Sequence, residues 1–226
     1  MSENQFANNM EKVKGIVLTG IGECFDLYMS NGSRSSKKTD RLNELIKNSI
    51  QVVIDSLVNK DEYSVVFEHN IPSENYSKQK RCDVVVMHKQ SPYAVLPLKF
   101  IMTSYMKNRN NYYENMTGEV MHLRWANPTL KIVPVNIIID KIPNLDNDKK
   151  IKNFEIIDPE NSLGVYDSLV KHNIVNNIYN AVITTTHECQ IGELYNKKPT
   201  INELKENLPF YDVLRTIFDQ PESENL

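Results

Sequence analysis

Asp83 opens an apolar run, Val84-Val85-Val86, and Lys99 stands sixteen residues further on inside a second run, Val95-Leu96-Pro97-Leu98-Lys99-Phe100. Glu114 and Glu119 follow on the next helical stretch. A carboxylate at a strand end, an ammonium on the neighbouring strand and a further carboxylate within reach are what metal-assisted phosphodiester hydrolysis uses. Carboxylate oxygens suit Mg²⁺. Such an ion polarises the phosphate and lowers the pKa of an attacking water. A lysine beside it orients that water or offsets the charge that develops. Each residue also has a structural reading. Asp83 would cap a strand edge. Lys99 would run its stem along apolar neighbours and bring its ammonium to water, because burying it unpaired is costly. Glu114 would favour a helix start by its charge. Glu119 falls near a core-facing stripe and needs a partner there. Glu68, ending an earlier strand, is either an acid standing behind the site or a surface residue, and Glu44 reads as surface.

The elements that must position these residues follow from hydrophobic spacing. Residues 30–40 read as a polar loop. Residues 40–58 read as an amphipathic helix, with Leu42, Leu45, Ile46, Ile50, Val53, Ile54 and Leu57 on one face and Thr39 or Asp40 as N-cap. Strands are expected at Tyr63–His69, Cys82–His88 and Tyr93–Met102, the last two apolar enough to be covered on both faces. Pro97 inside the third run lacks a donor, so it marks a bulge, a bend or the end of ladder bonding. A polar loop is expected at 103–110, then a helix at 111–125 capped by Asn111 with Glu114. A fourth strand is expected at Leu130–Asp140, a loop at 141–153, helix over most of 160–182 and one or two short helices in Ile201–Phe218. The expected fold class is α/β, with a mixed β-sheet flanked by helices. The expected organisation is one domain over 1–226, its core at about 40–140 and a mainly helical part at about 141–220.

This order resembles the PD-(D/E)XK nuclease superfamily, to which many type II restriction endonucleases belong. The likeness rests on Asp83 before Val84-Val85-Val86, the hairpin, the strand with Lys99 and the helix after it. The block LKFIMTSYMKNRNNYYENMTGEVMHLRW, residues 98–125, is similar to one found in small restriction enzymes of that superfamily. The resemblance implies a restriction-endonuclease-like core and Mg²⁺ held by Asp83, Glu114 and the main-chain carbonyl of Leu98. It also implies Lys99 at the nucleophilic water and double-stranded DNA as substrate. A palindromic target would call for a homodimer, and a cognate DNA methyltransferase would act separately.

The chain departs from the family where an acid is expected two residues before the lysine: that residue is Pro97. The carboxylate stands on the following helix, as in some restriction enzymes, or the chain binds DNA without cutting it, or Lys99 is not the family's lysine. The first is the favoured reading, with Glu114 or Glu119 in the role. A non-catalytic DNA-binding protein and a structure-specific repair nuclease are the rival functions. Lys107, Asn108, Arg109 and Asn110 are the candidate DNA contacts, since Asn and Arg pair with adenine and guanine edges.

The 226 residues include 40% hydrophobic and 24% charged, so a large core forms without disulfides. A formal net charge of −3 argues against a protein that coats nucleic acid by bulk charge. Positive charge is instead clumped at Arg34/Lys37/Lys38/Arg41, Lys78/Lys80/Arg81 and Lys107/Arg109/Arg124. The acidic segment Phe218–Leu226 is expected to fray. His69, His88, His122, His172 and His187 have no zinc-site spacing, and no nucleotide-binding glycine motif occurs. Cys24, Cys82 and Cys189 make neither a disulfide framework nor a CxxC pair. With no secretory signal and no apolar run near the ~20 residues of a membrane helix, a cytoplasmic setting is expected.

Overall fold

The computed structural model describes residues 3–31, 35–102 and 104–219. Arg34 and the acidic segment beyond residue 219 lie outside the described residues. The chain is mixed α/β. Helices α1 (Glu3–Asn31) and α2 (Lys37–Ile54) form an antiparallel pair. Arg41 bonds Glu23, and the Cys24 thiol donates to the Lys38 carbonyl. Gly20 permits the close approach, because a Cβ there would collide with the Leu45 side chain. The second helix is the one expected, but it begins three residues earlier, with Ser36 and not Thr39 or Asp40 at its N-cap, and it ends at Ile54, so that Leu57 lies beyond it. The first, whose stripe runs Val13, Val17, Ile21, Cys24, Phe25 and Tyr28, was not anticipated.

Strands β1 (Tyr63–Pro72), β2 (Gln79–His88) and β3 (Ser91–Leu96) form an antiparallel meander. In β2 the faces alternate, and both are buried. Val84 and Val86 pack with α1 and α2, while Val85 and Met87 pack with the opposite core. Pro97 divides the third expected strand into β3 and β4 (Leu98–Ile101). Helix α3 (Tyr105–Ala126) then crosses to β5 (Lys131–Ile132) and β6 (Val135–Ile139), which run parallel to β3 and β4. The expected fourth strand is therefore also split, at Val133-Pro134. The two breaks lie side by side, and the ladder carries across them: Val133 N–H donates to the Val95 carbonyl at 3.0 Å and Val135 N–H to Pro97 at 2.9 Å.

The expected loop at 103–110 and the Asn111 cap are overturned. Helix α3 starts at Tyr105, because the Glu155 carboxylate accepts the N–H groups of Tyr105 and Met106 at 2.9 and 2.6 Å. This acid arrives from a distant strand to satisfy open helix donors.

The expected mainly helical part at 141–220 is overturned as well. Residues 141–153 belong to a hairpin of β7 (Lys141–Leu145) and β8 (Ile151–Ile156). Its turn is closed by Asp146 Oδ1, which accepts from Asp148 and Lys150 N–H. Helical spacing after 158 yields only the short α4 (Pro159–Leu163) and α5 (Asp167–Lys171). Then β9 (Tyr179–Thr186) pairs parallel with β6, and β10 (Thr200–Glu206) pairs antiparallel with β9. A short α6 (Phe210–Arg215) closes the described chain. The β-branched run Val182-Ile183-Thr184-Thr185-Thr186 prefers a pleated surface, and short apolar runs do not reveal their state by period alone. Among the described residues, no helix is long and apolar enough to cross a membrane. All three cysteines are buried and free.

Candidate active site

Asp83 lies where the β2–β3 ladder ends. Val84 pairs with Leu96, so Pro97 falls opposite Asp83 and has no N–H to give. The next donor, Leu98 N–H, bonds Asp83 Oδ2 at 3.2 Å instead. The proline thus ends one ladder and leaves a carboxylate as the acceptor at its end. Burial pushes the Asp83 carboxyl above its usual range, and the nearby Glu119 charge adds to this. The Leu98 bond and the Lys99 and Lys80 charges pull the other way.

Lys99 lies on β4, in register with Asn136 on β6, which is in register with Asn180 on β9. The three form a polar row between the apolar neighbours Leu98/Phe100, Val135/Ile137 and Tyr179/Ala181. Asn136 Nδ2 donates to Asn180 Oδ1 at 3.2 Å, while the buried Asn136 Oδ1 has no partner among the described residues. Asn180 Nδ2 in turn bonds the carbonyls of Leu163 and Val165.

Lys99, at one end of this row, lines an open cleft of about 440 Å³, walled also by Ser73, Lys80, Glu114, Glu119 and His122. Its far wall is the β1–β2 loop, tied to α3 by two bonds. Glu74 N–H donates to the His122 carbonyl at 3.1 Å, and Asn127 Nδ2 donates to the Pro72 carbonyl at 2.7 Å. The two acids of α3 differ sharply. Glu119 lies inside, its side chain 13% exposed and paired with Lys80 Nζ at 3.0 Å. Glu114 stands exposed on the rim. Ser73 is buried on the wall, and its Oγ has no partner among the described residues.

The structure therefore brings Asp83, Lys99 and Glu119 together, with Glu114 at the edge. It does not bring Glu68, which bonds Arg81 on the surface, or Glu44, which bonds Arg41. Lys107, Arg109 and Asn110 are exposed on the first turns of α3, while Asn108 Nδ2 is used on the Ser104 carbonyl. Arg124 leaves the basic cluster expected from sequence. Its guanidinium bonds the carbonyls of Ile174, Pro128 and Leu130 and the Asn176 side chain. Lys80, Ser73 and His122 were not expected in the site, nor Asn136 in register with Lys99 behind it. Lys80 had one visible signal, its position three residues before Asp83. His122 had another, its place three residues after Glu119 on the same helix, whereas Ser73 and Asn136 are brought in by tertiary contacts.

No family model, no curated protein and no solved structure matches the chain.

Among the described residues, no three His, Cys, Asp or Glu side chains gather in a metal-binding group. Mg²⁺ does not require three. It keeps several waters and uses one or two carboxylates together with substrate phosphates. Asp83, Glu119 and the carbonyl of Leu98 are donors of the right kind, and the Ser73 hydroxyl, without a partner among the described residues, lines the same cleft as Glu119. Oxygen donors of this hardness favour Mg²⁺ or Mn²⁺ over a softer metal.

Proposed function

We propose that the chain is a divalent-metal-dependent endonuclease acting on double-stranded DNA, with a core like that of restriction enzymes. The observation that carries this reading is the Asp83 carboxylate at the end of the β2–β3 ladder, bonded by the N–H of Leu98, whose neighbour Lys99 lines one cleft with Glu119. The order α2, β1, β2, β3/β4, α3, β5/β6 supports it further. In this reading Asp83, Glu119 and the Leu98 carbonyl are the groups that would hold Mg²⁺, and Glu114 would face substrate from the rim. When bound, the ion supplies polarisation of the phosphate and a more acidic water. Lys99 orients that water by hydrogen bonding and offsets charge on the phosphate oxygens. The row behind it, Asn136 and Asn180, keeps its strand neighbours polar without adding charge.

Lys107, Arg109 and Asn110 extend the contact to DNA beyond the cleft. A palindromic target is met by a homodimer, and a separate methyltransferase would protect the same target. The test is incubation of the purified protein with plasmid DNA and Mg²⁺. Discrete fragments support a sequence-specific cutter, and a smear supports a non-specific or structure-specific one. Pro97 favours one second reading, a DNA-binding protein without catalysis. Binding with no cleavage in Mg²⁺ or Mn²⁺ would replace the first reading by that one.

A further inference from the structure

Glu119 already holds a cation, and that cation belongs to the chain. Lys80 Nζ lies 3.0 Å from the Glu119 carboxylate, with side chains 35% and 13% exposed. Its neighbours Lys78 and Arg81 pair elsewhere, with Glu74 and Glu68 on the surface. Lys80 alone of this basic group reaches into the cleft. A carboxylate as enclosed as Glu119 is costly to leave without a partner. A lysine that remains one-third exposed keeps access to water, so the pair contributes little net stability and is easily exchanged.

We infer that Lys80 is a built-in counter-ion for Glu119, displaced when a divalent cation takes that carboxylate and then free to contact substrate phosphate. This rests on the reading of Glu119 as a metal ligand. An ammonium and a doubly charged ion on one carboxylate repel each other, so they compete for it. The flexible stem of Lys80 lets the displaced ammonium stay in the cleft beside Lys99. Two lysines then face the phosphate once the metal is present, and one before.

The test begins with Mn²⁺ binding in the absence of DNA, read by the paramagnetic resonance of free Mn²⁺. Lys80→Met should bind Mn²⁺ tighter than wild type by about 2- to 5-fold, the scale of losing one competing, partly exposed charge. Lys80→Arg should match wild type. In a Glu119→Gln background the gain from Lys80→Met should vanish, because the two residues act through one contact. Lys80→Gln repeats the measurement should the Met variant lose its native circular dichroism. DNA binding supplies a second readout. Lys80→Met should weaken it more in Ca²⁺ than in EDTA, since the ammonium is released only by metal. Unchanged Mn²⁺ affinity, an equal gain in the Glu119→Gln background, or no Mn²⁺ binding by any variant would overturn the inference. If the Mn²⁺ pattern holds while wild type cuts no DNA, the nuclease reading falls and the role of Lys80 stands.

Discussion

The two halves of α3 are built differently. In residues 116–126 the helix is packed: Met116, Val120 and Leu123 are buried, and Glu119 faces the cleft beside them. In residues 105–115 only Tyr105 is buried, and Lys107, Arg109, Asn110 and Glu114 look out to solvent. That half is propped rather than packed. Tyr113 stacks on Tyr166 with ring centroids 5.3 Å apart, and the Tyr166 hydroxyl donates to the Tyr112 carbonyl at 3.1 Å. The difference teaches that a block with one sequence character serves two purposes. Its second half holds a carboxylate against a fixed core, and its first half leaves its charged side chains in solvent.

The largest effect should come from the buried side of this contrast. Asp83→Ala is expected to lower cleavage about 10³-fold or more, with circular dichroism unchanged. Activity within tenfold of wild type would remove Asp83 from the chemistry. Next, Glu119→Gln should cost about 10²-fold and Glu114→Gln under about 10-fold in single-turnover rate. The reverse order would assign the metal to the rim. Pro97→Glu should partly restore the Glu119→Gln variant, since it returns an acid opposite Asp83. Lys99→Ala should cost about 10²-fold with DNA affinity little changed. Lost binding with normal cleavage at saturating protein would make Lys99 a phosphate anchor.

The outer half should answer in binding alone. Lys107→Ala and Arg109→Ala should each weaken DNA binding and reduce the salt slope by roughly one, leaving the saturated cleavage rate intact. The smallest effect concerns stability. Asp83 has a raised folded-state pKa, so the native chain holds that proton more firmly than the unfolded chain does. Stability from this group is therefore highest in acid. It falls as pH rises from the usual carboxylate range through the folded pKa. Asp83→Asn keeps an acceptor for Leu98 N–H and removes the charge. It should raise Tm at pH 7, with the gain shrinking toward about pH 4. A lower Tm at pH 7 would mean that Lys80 and Lys99 more than offset the burial.

What was legible in the sequence was whatever local pattern decides. The α2 stripe, the strand starting at Tyr63 and the apolar runs around Asp83 and Lys99 were readable because each buries a face with its own period. Pro97 was readable as a break in ladder bonding, and the missing N–H is what turns Leu98 toward Asp83. The start of α3 was not readable, because its cap is Glu155, fifty residues from Tyr105. The core-facing place of Glu119 was readable from helical spacing, but its partner was not. That partner, Lys80, arrives on β2, after the loop that Asn127 and His122 hold against the helix. The strands β7 to β10 were missed because a pairing partner, not intrinsic preference, sets their state.

The anchoring of α3 at both ends has a mechanical consequence. Glu155 grips its first amides, and Arg124 grips the carbonyls that follow its last turn. A rod clamped at both ends resists tilting. A force on its outer turns is transmitted along its length rather than absorbed at a hinge. If the proposed nuclease reading holds, the distance from Arg109 to Glu119 would act as a ruler between the place where a duplex is gripped and the place where its backbone is cut. Lengthening the helix by one residue would rotate the grip by about 100° relative to the cleft, enough to separate holding from cutting in the same molecule.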